Sequence, residues 1–117
     1  MTSAAGLTLV AIVDFAAGAE TAGQRYEDAV LALLERHGGH LDRRLHGTDG
    51  QTEVHVIRFD SRAGYESFLA DPDRAALRGA LGDSAPTTRV IEVHEPVAGH
   101  ASVAAPTARA QRPGPPG

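Results

Sequence analysis

The run LTLVAIVDF, residues 7–15, carries apolar side chains at both odd and even positions. A strand written this way buries both of its faces, so it belongs in the middle of a sheet that is covered on both sides. A chain of 117 residues has material for one domain. Its own helices must therefore cover the sheet on one side, and something must cover the other.

The segments that follow supply the helices and the remaining strands. In TAGQRYEDAVLALLERHGG, Tyr26, Val30, Leu33, Leu34 and His37 recur at helical spacing, Arg36 and His37 fill the last turn, and Gly38 or Gly39 supplies the stop. HLDRRLHGTDGQTEVHVIRF reads as a β-hairpin turning at GTDG. Pairing Leu45 with Thr52 sets Arg43 opposite Val54, Leu41 opposite Val56, Arg44 opposite Glu53 and Asp42 opposite His55, which keeps apolar and charged pairs on separate faces. DSRAGYESFLADPDRAALRGALG opens on Asp60 or Ser61 as a helix cap. It restarts at Asp71-Pro72 as a second N-cap with a first-turn proline, and closes at Gly82. TTRVIEVHEPV is a last strand in which Ile91 and Val93 alternate with Glu92 and His94.

The order β-α-β-β-α-β with right-handed crossovers predicts an α+β, ferredoxin-like domain. It has a four-stranded antiparallel sheet in the order 4-1-3-2 and both helices on one face. If the helices cover Leu41, Leu45, Val54, Val56, Ile91 and Val93, the open face collects Asp42, Arg44, Glu53, His55, Ile57, Phe59, Glu92 and His94. Two such faces packed together close a barrel with a partly polar interior. In the reversed arrangement Val54, Val56 and Arg58 would face that interior instead.

Composition limits the chemistry. All 11 basic residues are arginine, and lysine, asparagine, cysteine and tryptophan are absent. No lysine Schiff base, thiolate or disulfide is available, so a site must be built from His, Asp, Glu, Arg, Tyr, Ser, Thr and backbone. All 15 acidic residues fall between Asp14 and Glu95, and an acidic domain argues against nucleic acid. The longest early apolar run, residues 7–13, is too short to span a membrane and follows no basic segment, which predicts a cytoplasmic protein with no membrane association. The stretch from Pro96 on holds five of the seven prolines amid Ala, Ser and Gly. The expected division is a domain over residues 1–97 and a disordered tail over residues 98–117.

The element order, the junction HVIRFDS and the segment YESFLADPDRAALR resemble the dimeric α+β-barrel superfamily over about residues 5–97, and are most similar to the family called domain of unknown function thirteen-thirty. Relatives by fold include antibiotic-biosynthesis monooxygenases, small polyketide cyclases and muconolactone isomerases. The resemblance implies a homodimer that binds a small hydrophobic molecule without a cofactor.

On the open face, His55 with Asp42 is the acid–base candidate: a carboxylate that orients an imidazole raises its basicity for proton abstraction next to a carbonyl. An ordinary cross-strand charge pair is the alternative. Arg44, Ile57, Phe59, Glu92 and His94 would line the substrate, with Arg44 or His94 polarising a developing oxyanion. No HxH or HExxH spacing occurs, so no metal is expected. Tyr26 and Tyr65 lie on apolar stripes and read as core. The expected function is a cofactor-independent acid–base cyclase or isomerase acting on a hydrophobic, polyketide-like molecule of secondary metabolism. A non-catalytic binding module is the second reading. A cofactor-free monooxygenase ranks third, because those enzymes of the group often use Asn and Trp.

An uncovered sheet face predicts a homodimer in solution that buries about 800 Å² per subunit. Light scattering at micromolar protein is expected to return a dimer mass, and a monomer mass at every concentration would remove the barrel.

Overall fold

Alternation and capping place the elements where the sequence puts them. The computed structural model describes residues 6–96. It contains β1 (Leu7–Asp14), α1 (Glu20–Leu31), a 3-10 turn (Leu34–His37), β2 (Gly39–His46), β3 (Thr52–Phe59), α2 (Arg62–Leu69), α3 (Pro72–Leu81), a second 3-10 turn (Gly82–Ser84) and β4 (Thr87–Val93). The expected tail, residues 98–117, lies outside the described residues. The strands form one antiparallel sheet in the order β2-β3-β1-β4, as expected. The doubly apolar β1 is central.

The helix boundaries have local causes. The α1 helix tightens into the 3-10 turn and stops at Gly38, which adopts the left-handed conformation (φ 71°) that glycine takes without strain. Ser61 caps α2 by accepting a hydrogen bond from the Gly64 amide, and Asp71 caps α3 by accepting one from the Asp73 amide, with Pro72 in the first turn. Asp71 also ties three elements together. His37 Nε2 donates to it at 2.6 Å while His37 Nδ1 meets Ser67 Oγ at 2.8 Å. The bond from His37 holds the Asp71 carboxyl down at about 2, against the opposing effect of its burial.

The hairpin register and the covered face differ from the sequence expectation. Leu45 pairs with Val54 rather than Thr52, and a β-bulge interrupts β2 between Leu41 and Arg43. The extra residue at the bulge is Asp42. Its carboxylate bonds Arg58 Nε at 2.8 Å, so it does not meet His55, whose partner across the ladder is Arg44. The helices cover Leu7, Leu9, Ala11 and Val13 of β1 with Glu53, His55, Ile57 and Phe59 of β3, all buried. Val54 and Val56, expected beneath the helices, lie half-buried on the open face beside Val10 and Ile12.

The reason is volume. The helices bring Tyr65 and Phe68 against Phe59, with ring centroids 5.3 and 5.6 Å apart, and large interlocking side chains fill a sheet–helix layer better than valines do. The open face keeps an apolar centre, and its edges carry exposed Leu45 on β2 and Ile91 on β4.

Tight packing of α2 on the first 3-10 turn depends on Gly64, where an added Cβ would overlap the His37 carbonyl oxygen. Alanine favours a helix over glycine by about 1 kcal/mol, but overpacking costs about 1–3 kcal/mol. Gly64→Ala is therefore expected to lower the melting temperature, by about 4–8 °C for each net kcal/mol lost. A rise would show that α2 has room to shift.

Candidate active-site cavity

A cavity of about 300 Å³ lies between the covered sheet face and the helices, at the small end of the size range of ligand sites. Leu9, Ala11, Val13 and Ile57 form its floor, and Tyr26, Val30, Tyr65 and Phe68 its walls. Four ionisable side chains break this apolar lining: Glu27 from α1, His55 from β3, and Arg74 and Arg78 from α3.

Behind the cavity, Glu53 is completely buried. Its carboxylate accepts from Arg44 Nε at 2.9 Å and Arg44 Nη2 at 3.2 Å, and from His55 Nε2 at 2.8 Å, while His46 Nε2 lies 3.1 Å from its second oxygen. Arg44 extends the network to Asp28 at 2.7 Å. Burial alone would raise the Glu53 carboxyl, but the Arg44 and His55 hydrogen bonds outweigh it, and Glu53 stays below the ordinary carboxylate value. His55 is pushed toward its neutral form. Burial lowers it below the ordinary histidine value despite its bond to Glu53, so the ring is neutral at pH 7. With Nε2–H donated to Glu53, Nδ1 keeps its lone pair.

Nδ1 stands 4.0 Å from Glu27 Oε1, beyond hydrogen-bond reach. Glu27 is 5 % exposed. Burial raises it first and the nearby Glu53 charge second, to about 7, against the pull of Arg44, Arg74 and Arg78. At neutral pH it is poised between acid and base.

The residues read from sequence divide accordingly. His55, Ile57 and Phe59 line the cavity, and Arg44 acts one step behind it through Glu53. Asp42 lies on the opposite face with Arg58. Glu92 is exposed and paired to Arg62 at 2.6 Å. His94 lies past the end of β4, exposed, with Nδ1 3.0 Å from the Glu95 carbonyl oxygen. Among the described residues, no three His, Asp or Glu side chains gather as a metal-holding group.

Glu27, Arg74 and Arg78 are the residues the sequence reading missed. A signal existed for Glu27: it falls four residues after Gly23 and three before Val30, on the buried stripe of α1, where a carboxylate is out of place.

Substitution of Glu27 tests its ionisation directly. Its folded value lies above the unfolded one, so the folded state holds more protons between about 4.5 and 7, and stability falls as pH rises through that window. Glu27→Gln is expected to match the wild type near pH 5. Near pH 8 it should be the more stable by up to about 3 kcal/mol, from roughly 1.4 kcal/mol per pH unit. Denaturant melts at the two pH values measure this, and an equal difference at both would mean that Glu27 ionises normally.

Neither a family model nor a curated protein sequence matches the chain. Solved structures do. SnoaB, a cofactor-independent oxygenase from Streptomyces nogalater, is 18% identical and superposes with a TM-score of 0.65 over 80% of this chain and 96% of that one. A Nitrosomonas europaea protein assigned to the antibiotic biosynthesis monooxygenases is 10% identical, with a TM-score of 0.66 over 81% and 94%. PA3566 from Pseudomonas aeruginosa is 18% identical, with a TM-score of 0.66 over 83% and 100%. Identities this low speak for fold and not for activity. The chain has the ferredoxin-like α+β fold that these structures share.

Proposed function

We propose that this protein is a cofactor-independent acid–base enzyme that removes a proton from a hydrophobic, enolisable or phenolic small molecule held between its sheet and helices. The observation that carries the reading is Glu27, a buried carboxyl raised to about 7 at the wall of an apolar cavity. Such a group accepts a proton near neutral pH, and the low-dielectric lining keeps it from being levelled by solvent. His55, fixed in one tautomer by the Glu53–Arg44 pair, presents its Nδ1 lone pair on the same side. It can take a proton relayed by Glu27 or hold a substrate hydroxyl. This replaces the His55–Asp42 pair as the catalytic unit and keeps His55 within it.

The active form in this reading is the homodimer, closed over Val10, Ile12, Val54 and Val56, with one cavity in each subunit. No helix among the described residues is long and apolar enough to cross a membrane, and the substrate reaches the cavity from water.

Two fates are open to the deprotonated substrate. Reprotonation at another carbon, or attack on an internal carbonyl, gives an isomerase or cyclase of polyketide-like molecules. Transfer of its electrons to dioxygen converts a CH₂ group and O₂ into a carbonyl group and water. The second fate is favoured by the SnoaB likeness, since that protein is a cofactor-independent oxygenase.

The test is deuterium exchange at the benzylic carbon of β-tetralone and related benzyl ketones in D₂O, followed by NMR with and without air. The wild type is expected to accelerate exchange, and Glu27→Gln to lose about 10²-fold or more of that acceleration. Oxygen-dependent carbonyl formation would assign the oxygenase fate. Binding with no exchange above buffer would overturn the enzyme reading in favour of a binding module.

A further inference from the structure

Arg74 is the cavity residue that the acid–base reading leaves unused. Its guanidinium carbon lies over the Phe68 ring, 5.1 Å from the centroid, within cation–π range. Its Nε is fully buried and has no hydrogen-bond partner, and Nη1 makes a long contact of 3.4 Å to the Leu69 carbonyl oxygen. Among the described residues no carboxylate forms a salt bridge with it, whereas the arginines at 36, 44, 58 and 62 each have at least one; Arg25, Arg43 and Arg89, outside the cavity, also have none. Arg78, the other cation on the lining, is engaged by the Pro86 carbonyl oxygen at 3.1 Å. A guanidinium carries five N–H donors in a planar fork that matches a carboxylate, and the Arg74 side chain on the cavity lining spends only the one long contact to Leu69.

We propose that the molecule this cavity holds is an organic anion, a small hydrophobic carboxylic acid whose carboxylate docks on the Arg74 guanidinium while its apolar body lies on Phe68, Ile57 and Leu9. The inference rests on the cavity being the binding site, as in the reading above, but on no reaction taking place there. Arg74 is a specificity residue, set apart from the proton-transfer pair. Fixing the acid at α3 orients the body of the molecule toward Glu27 and His55. A volume of about 300 Å³ suits one or two fused rings.

The probe is naphthoate, compared with its neutral methyl ester of nearly the same shape, titrated by calorimetry and by NMR near pH 6, where Glu27 is largely protonated. The acid is expected to bind wild type at least about 10-fold more tightly than the ester, which cannot form the charge-assisted pair. Arg74→Gln should erase that preference, and Arg74→Lys, which retains charge but not the paired donors, should restore part of it. Equal binding of acid and ester to wild type, an unchanged preference in Arg74→Gln, or no binding of either at millimolar concentration would each overturn the proposal. Failure of deuterium exchange with the acid preference intact would remove only the enzyme reading. Exchange with no acid preference would remove only this one.

Discussion

Glu53 holds a negative charge with none of its surface exposed, and much of the interior is arranged around that fact. An unpaired carboxylate at such a position would cost several kcal/mol. Arg44 meets it from β2 with two donors and His55 from its own strand with a third. These bonds support the local hairpin register, in which Arg44 lies opposite His55 and reaches both Glu53 oxygens. They also settle the His55 tautomer and leave one ring nitrogen free at the cavity. One buried ion pair thus connects strand pairing to the chemistry that the cavity can support.

The same charge acts on Glu27. Glu53 takes the available donors, and its ionised carboxylate then adds to the burial that raises the second carboxyl. Two buried carboxyls close together in one interior end on opposite sides of their ordinary value because one has an arginine clamp and the other has none. The difference lies in partners, and both groups are buried side chains of regular elements. Rigid elements of this kind hold ionisable groups more firmly than loops do.

Much of the fold could be read from local pattern. The caps at Ser61 and Asp71, the stop at Gly38, the proline restart and the strand order all follow from rules that act within a few residues or from chain handedness. The face assignment was not legible in the same way. Alternation in EVHVIRF states which residues share a face, and both faces contain apolar residues. The choice between them turned on how Phe59 packs with Tyr65 and Phe68, and on Arg44 and His55 making Glu53 burial affordable. The bulge at Asp42 shifted parity within β2 without a glycine to mark it, and so separated Asp42 from His55. Reading charged residues as outward-facing therefore placed His55, Ile57 and Phe59 on the open face, whereas they lie on the covered one and line the cavity.

Stability alone does not explain the lining of the cavity. Glu27 sits where a leucine or glutamine would fit the apolar stripe at no ionisation cost, and Arg74 buries a donor that nothing in the described chain accepts. Proteins satisfy such groups almost everywhere, and departures from the rule concentrate where a site gives up stability for function. Here two departures of opposite sign share a cavity of about 300 Å³ and do not neutralise each other: among the described residues Glu27 has no side-chain hydrogen-bond partner, and Arg74 forms no salt bridge with it. Had they been paired, Glu27 would ionise in the ordinary range and Arg74 would have no capacity to spare. Their separation keeps an unpaired carboxyl and an arginine without a salt bridge in one apolar space, which is the arrangement that the proposed ligand, with an acidic head and an acidic C–H or O–H bond, would require.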